Sequence, residues 1–108
     1  MNTEISKTAR QLLYNETYGI LATQSNSIEG YPFGSVVPYI YHQGKYLIIY
    51  ISELAEHTKN LRKNPKCSLI VKESDHQDDV QTAGRLTWVG NAEEVPNEED
   101  SVVKIRYF

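Results

Sequence analysis

The chain has 108 residues, a formal net charge of −3 and one cysteine, Cys67. Its lysines and arginines are scattered, which argues against nucleic acid as a partner, because phosphate neutralisation needs clustered positive charge. A single cysteine excludes an internal disulfide and a CxxC motif, and no apolar run approaches the roughly 20 residues that span a membrane. We therefore expect one domain over residues 1–108, cytoplasmic and without membrane association.

The first half of the chain predicts a helix followed by three strands. Residues 3–15 carry apolar side chains at helical spacing, and Thr3 is positioned to cap that helix. Strands are predicted at 18–23, 34–41 and 46–51. The last of these, YLIIYI, is apolar at every position, which indicates burial on both faces.

The second half of the chain predicts two more strands, each placed between polar or helical segments. A helix at 54–63 is expected to follow Ser52 as its N-cap. Strands are predicted at 66–73 and 85–95, separated by a polar loop. Residues 96–108 are expected to begin a helix, because the acidic run EED suits the positive end of a helix dipole.

Five strands and three helices favour a mainly β fold, a small antiparallel barrel with helices at its ends. Five strands rarely close a barrel without help. We therefore expect the barrel to be incomplete at its C-terminal end, either because the chain is a fragment or because a partner supplies the missing edge.

Polar side chains that suit a phosphate group follow directly after the apolar strand 46–51. They are Ser52, His57, Thr58, Lys59 and Asn60. A helix start, hydroxyls, an imidazole and an ammonium together form a reasonable phosphate seat. Glu53 and Glu56 lie in the same turn and would repel an anion. The alternative is an ordinary solvated surface helix, in which these carboxylates match the helix dipole.

Three residues of the strand 85–95 also allow two interpretations each. Arg85 is either an exposed charge at a strand end or a donor fork for a phosphate or a ring carbonyl. Trp88 belongs either to the core or to a wall against a flat cofactor. Gly90 marks a bulge or a close approach of backbone.

Hydrolytic and metal chemistry have no support in the sequence. His42 lies in a turn and His76 in a polar loop, and neither has a partner at the spacing of metal ligands. No nucleotide-binding glycine loop, zinc-protease helix or serine-hydrolase elbow is present. We therefore expect no metal site.

Three blocks of the chain resemble the pyridoxamine 5′-phosphate oxidase-related FMN-binding split barrels. They are GYPFGSVVPY (30–39), YISELAEHTKNLRKNPKCSLIV (50–71) and GRLTWVGNAEEV (84–95). The likeness is greatest to the heme-utilisation (HugZ-like) branch, with which the chloroplast glutamyl-tRNA reductase-binding proteins share these blocks. The most specific piece is S-x-L-A-x-H-T-x-N-L-x-x-N-P, followed by R-L-T-x-x-G.

The resemblance implies a split barrel that forms a homodimer, with FMN in a groove between the two subunits. The cofactor-binding positions that it implies are Gly34, Ser35, Val36, Tyr50, Ile51, Ser52, His57, Thr58, Lys59, Asn60 and Arg85. Arg85 is expected to face the site from the second subunit. One departure concerns the phosphate: the oxidase has an Arg-Lys pair there, and this chain has Glu56-His57.

Three functions follow from the resemblance. The first is an FMN-dependent oxidoreductase that acts on a small molecule of unassigned identity, with the flavin supplying the electron chemistry. The second is a heme-binding or heme-utilisation protein that uses the barrel without flavin. The third is a non-catalytic protein-interaction module. Flavin or heme spectra distinguish the first two, and a stable complex with another protein identifies the third.

Overall fold

Six strands and two helices make up the described part of the chain. The computed structural model describes residues 6–74, 84–95 and 101–107. The elements are α1 (Lys7–Asn15), β1 (Tyr18–Gln24), β2 (Pro32–His42), β3 (Tyr46–Ile51), α2 (Glu56–Lys63), β4 (Lys66–Lys72), β5 (Arg85–Glu94) and β6 (Ser101–Tyr107). The expected polar loop lies mostly outside the described residues.

The strands form a closed barrel in the order β1-β2-β3-β6-β5-β4, and every pairing is antiparallel. The predicted mainly β barrel with flanking helices is confirmed. The predicted C-terminal helix is wrong over residues 101–107, because these residues form β6, which pairs with both β3 and β5. The expectation of an incomplete barrel is also wrong, because β6 of the same chain closes the barrel.

One face of each strand points into the barrel and forms the core, because successive side chains of a strand alternate between its two faces. In β3, Leu47 and Ile49 are buried, whereas Tyr50 is 55% exposed. The prediction that β3 is buried on both faces is therefore wrong for this chain. The closed barrel has a single interior, and the outward side chains of β3, Tyr46, Ile48 and Tyr50, are partly or largely exposed.

Trp88 occupies the middle of the core. It is fully buried, and its indole Nε1–H donates to the carbonyl oxygen of Ile105 at 3.1 Å. This confirms the core interpretation of Trp88 over the cofactor wall. Gly90 marks a close approach, as predicted, because a Cβ at this position would lie 1.9 Å from the carbonyl oxygen of Arg106.

The two helices begin differently from the sequence prediction. Ser6 caps α1 by accepting the Ala9 N–H at 3.2 Å, and Thr3 lies outside the described residues. α2 begins at Glu56 behind Ala55, so the predicted N-cap role of Ser52 is wrong. Ser52 Oγ instead accepts the Leu54 N–H in the turn that precedes the helix. No described helix is long and apolar enough to cross a bilayer.

Candidate functional site

His57, in the first turn of α2, contacts Ser35 of β2. Ser35 Oγ lies 3.0 Å from His57 Nδ1, and His57 Nε2 is buried with no hydrogen-bond partner among the described residues. Burial lowers the pKa of His57 from its ordinary 6.5, because desolvation disfavours the charged ring. The imidazole is therefore neutral at pH 7, and it links the first turn of α2 to β2.

Thr58 and Asn60 are buried and form hydrogen bonds within the chain. The Thr58 hydroxyl donates to the carbonyl oxygen of Ser52. Asn60 Nδ2 donates to Thr23 Oγ1 at 3.0 Å, and Asn60 Oδ1 accepts the Asn26 N–H at 2.8 Å. Asn60 therefore holds α2 against β1 and the turn that follows β1, and Thr58 holds the first turn of α2 to the turn that follows β3.

Lys59 is the only cation of the predicted phosphate seat, and it is exposed. Its Nζ lies 3.8 Å from a carboxylate oxygen of Glu56. An exposed ion pair of this kind contributes little to stability, but Glu56 offsets part of the positive charge at the start of α2. The predicted phosphate-binding site therefore carries little net positive charge, as Glu53 and Glu56 in the sequence indicate.

The strand residues of the predicted site divide between the two faces of the barrel. Gly34, Val36 and Tyr50 are exposed on the outside, and Ile51 lies in the core. Ser52 is exposed in the turn after β3.

Arg85 lies far from α2 within one chain. It pairs with Lys72 at the end of β4, whereas α2 joins the start of β4 at Lys66. Six residues of extended strand separate these ends by about 20 Å. Arg85 lines a groove of about 590 Å³ together with Glu16 and Glu73. Its expected approach to the site of a second copy stays a prediction.

An exposed apolar surface covers the outside of four neighbouring strands, and we call it the outer apolar face. Its members are Ile20, Val36, Ile70 and Val89. Ile20 is paired with Val36 on one side and with Ile70 on the other, so their side chains are cross-strand neighbours. Val36 is 68% exposed. Ile20, Val36 and Ile70 therefore form a contiguous exposed apolar row on the outside of the barrel.

Several residues contribute to the structure without any signal in the local sequence. Thr23 and Asn26 hold Asn60, yet they lie more than 30 positions before it, and nothing in the local pattern indicates the contact. The sequence places His42 in a turn, whereas the structure has it as the last residue of β2, with its ring stacked on Tyr46 and the centroids 5.4 Å apart. Among the described residues, no three His, Cys, Asp or Glu side chains group to hold a metal ion.

Comparison with known protein families identifies one match that covers nearly the whole chain. The profile of the CREG beta-barrel family matches residues 2–108.

One curated relative is the chloroplastic non-canonical heme oxygenase HOZ of Arabidopsis thaliana. It is 38% identical over 99 residues, which cover 92% of this chain and 30% of that protein. The chain therefore spans less than a third of this relative.

Solved structures share the fold at low sequence identity. HutZ, the heme storage protein of Vibrio cholerae, superposes with a TM-score of 0.79 at 18% identity, over 98% of this chain and 92% of HutZ. An FAD-binding protein of Mesorhizobium loti superposes with a TM-score of 0.77 at 18% identity, over 95% and 88% of the two chains. At this identity, both likenesses describe the fold alone.

Proposed function

Because the chain belongs to the CREG beta-barrel family, we propose that it binds heme and acts in heme utilisation, as a pair of copies packed on the outer apolar face. The observation that carries this proposal is the similarity to the heme oxygenase HOZ, at 38% identity over 92% of the chain. The proposal favours heme over FMN, the cofactor that the sequence blocks first imply.

The surface chemistry of the described residues fits a heme. A porphyrin needs an apolar contact surface, cations for its carboxylates and usually an imidazole for its iron. Apolar side chains on the outside of the barrel that lie apart from the outer apolar face, such as the exposed Ile40, supply the first of these. When bound, heme supplies a redox-active iron. His57 does not fit as its ligand in this arrangement, since Nε2 is buried inside the chain.

Pairing of two copies is proposed from the same surface. Val36, Ile20 and Ile70 form a continuous apolar row across β2, β1 and β4. A domain of 108 residues has a small core, so covering this row would add appreciably to its stability. Each Å² of apolar surface that is removed from water contributes roughly 25 cal/mol. A second copy brings an identical row, and a two-fold contact covers both rows at once.

FMN is the second candidate, and the structure offers one observation in its favour. In β2, residues 32–38 pair with β1 and residues 39–42 pair with β3. The β3-side edge of residues 32–38 is therefore not paired with β3. Backbone N–H and C=O groups at such an edge suit the polar rim of a flavin ring. Gly34, Ser35 and Val36 are the residues that the family resemblance assigns to that contact.

Titration of the purified protein with hemin and, in parallel, with FMN tests the proposal. We expect hemin to produce a Soret band that saturates at a defined ratio of hemin to protein, and FMN fluorescence to remain unchanged. Urea-unfolded protein is the control for nonspecific hemin adsorption. Saturable flavin binding without saturable hemin binding would replace heme by FMN. Binding of neither ligand would leave the interaction-module hypothesis as the better account.

A further inference from the structure

Six outward side chains of β2, β3 and β6 form a compact array of mixed chemistry, and we call it the outer grid. Its members are Ile40, His42, Tyr46, Ile48, Lys104 and Arg106. Two residues come from each strand, spaced two apart, so each pair lies on one face of its strand. The grid combines apolar, aromatic, imidazole and cationic groups.

The strand register places these six residues in two rows across the sheet. Ile40 is paired with Ile48, which is paired with Lys104. In the second row, His42 is paired with Tyr46, which is paired with Arg106. Neighbours within a row have Cβ atoms about 5 Å apart, and the two rows are about 7 Å apart. The array therefore matches the size of a large planar ring system.

The second row is held together around the ring of Tyr46. The His42 ring stacks on it, with centroids 5.4 Å apart and planes 28° from parallel. Lys104 Nζ lies 4.8 Å from the Tyr46 centroid, and Arg106 Cζ lies 5.6 Å from it. These stacking and cation–π contacts limit the motion of three side chains that would otherwise be mobile at a surface.

His42 is the partly exposed imidazole of the outer grid. Neither of its ring nitrogens has a hydrogen-bond partner within residues 6–74, 84–95 and 101–107. Unlike His57 Nε2, neither of them is a buried atom without a partner. A neutral imidazole with a free nitrogen is the commonest protein ligand of heme iron.

The two cations complete the set of groups that a heme requires. Lys104 and Arg106 project from the same face of β6, and each can pair with a carboxylate. Glu93 accepts a hydrogen bond from Arg106 at 2.8 Å and sits opposite Lys104 in the register. One carboxylate facing two cations leaves the grid with an excess of positive charge.

We propose that the outer grid is where this chain receives heme, with His42 as the iron ligand, Lys104 and Arg106 facing the two propionates, and Ile40 and Ile48 under the apolar ring. This inference rests on the proposed function and names the part of the surface that performs it. The grid adjoins the outer apolar face, since Val36, Ile40 and His42 stand on the same outward row of β2. A second copy packed on that face would lie beside the ligand.

Hemin titrations of four forms of the full chain test this assignment: the wild type, His42→Gln, the double variant Lys104→Gln/Arg106→Gln, and Lys66→Gln. Lys66 is an exposed strand lysine outside the grid, so Lys66→Gln controls for the loss of one positive surface charge. Absorbance and electron paramagnetic resonance report the ligand of the iron independently of any activity, and far-UV circular dichroism confirms that each variant is folded.

We expect His42→Gln to raise the hemin Kd by about tenfold or more, roughly 1.4 kcal/mol, and to lose the histidine-ligated iron spectrum, which added imidazole restores. The double variant should bind more weakly with an unchanged iron spectrum, and its affinity should depend less on salt than that of the wild type. Lys66→Gln should match the wild type.

If wild type binds hemin and His42→Gln keeps both its Kd and its iron spectrum, the grid assignment is overturned while the proposed function stands. If wild type shows no saturable hemin binding, the proposed function and the grid assignment both fail.

Discussion

Replacing Asn60 with alanine tests whether this residue holds the fold together or contacts a ligand. Asn60 has no exposed surface, and its amide bridges Thr23 and Asn26 through two hydrogen bonds. Asn60→Ala removes both bonds and leaves two polar partners without their contact. Each buried group that is left unpaired costs about 1–3 kcal/mol, but Thr23 retains a bond to Phe33. We therefore expect the free energy of unfolding to fall by about 2–4 kcal/mol.

Urea unfolding followed by circular dichroism measures this loss, and a thermal scan should show a fall in Tm of about 10 °C or more for a domain of this size. Asn91→Ala, at an exposed position of β5, is the control and should stay within about 0.5 kcal/mol of wild type. A double-mutant cycle with Thr23→Val should give a coupling of about 1 kcal/mol, because the two side chains share a bond. If Asn60→Ala unfolds like wild type but loses its ligand, our interpretation of Asn60 is wrong.

Three further outcomes follow from the structure. Gly90→Ala should lose about 3 kcal/mol of unfolding free energy or fail to fold, because its Cβ would meet backbone 1.9 Å away. In Gly34→Ala the new Cβ has no neighbour closer than 3.8 Å, so this control should stay near wild-type stability. If the two variants unfold at the same urea concentration, the close approach at Gly90 does not limit stability and the prediction is wrong. Because the pKa of His57 is lowered on folding, the unfolded state takes up a proton at higher pH than the folded state, and the free energy of unfolding should fall as the pH drops below about 6.5. His57→Gln should flatten this part of the plot of stability against pH. An unchanged slope in the variant would show that His57 does not cause the pH dependence. Val36→Lys should convert the proposed pair of copies into monomers in sedimentation velocity, and a wild type that is already monomeric at tens of micromolar would remove the basis for pairing.

The sequence predicted most of the barrel and failed at its closing strand. Strands with a clear alternation, such as KCSLIVK in β4, were placed almost to the residue. Within residues 101–107, Val103 and Ile105 lie inside and Lys104 between them is only partly buried, so part of this segment alternates as a strand does. The acidic run before them is typical of the first turn of a helix, and it favoured a helix prediction over the strand that the alternation of apolar and polar residues indicates. Pairing with β3 and β5, which are distant in sequence, decided the structure.

The candidate site was predictable only where its residues are neighbours in the chain. The motif around His57 located α2, but burial of Thr58 and Asn60 depends on partners in the preceding turn and in β1. The Ser35–His57 contact joins positions 22 residues apart and arises only when α2 folds back on β2. The outer grid could not be predicted from the sequence, because its residues come together only when residues 101–107 form a strand beside β3.

Anomalous scattering from iron, in crystals of the full chain grown with hemin, is the most direct measurement of where this protein binds heme. Our account predicts one strong iron peak next to the imidazole of His42, on the outside of β2, with porphyrin density extending over Ile48 toward Lys104. An iron peak coordinated elsewhere, for example at His57 or in the groove beside Arg85, would contradict it.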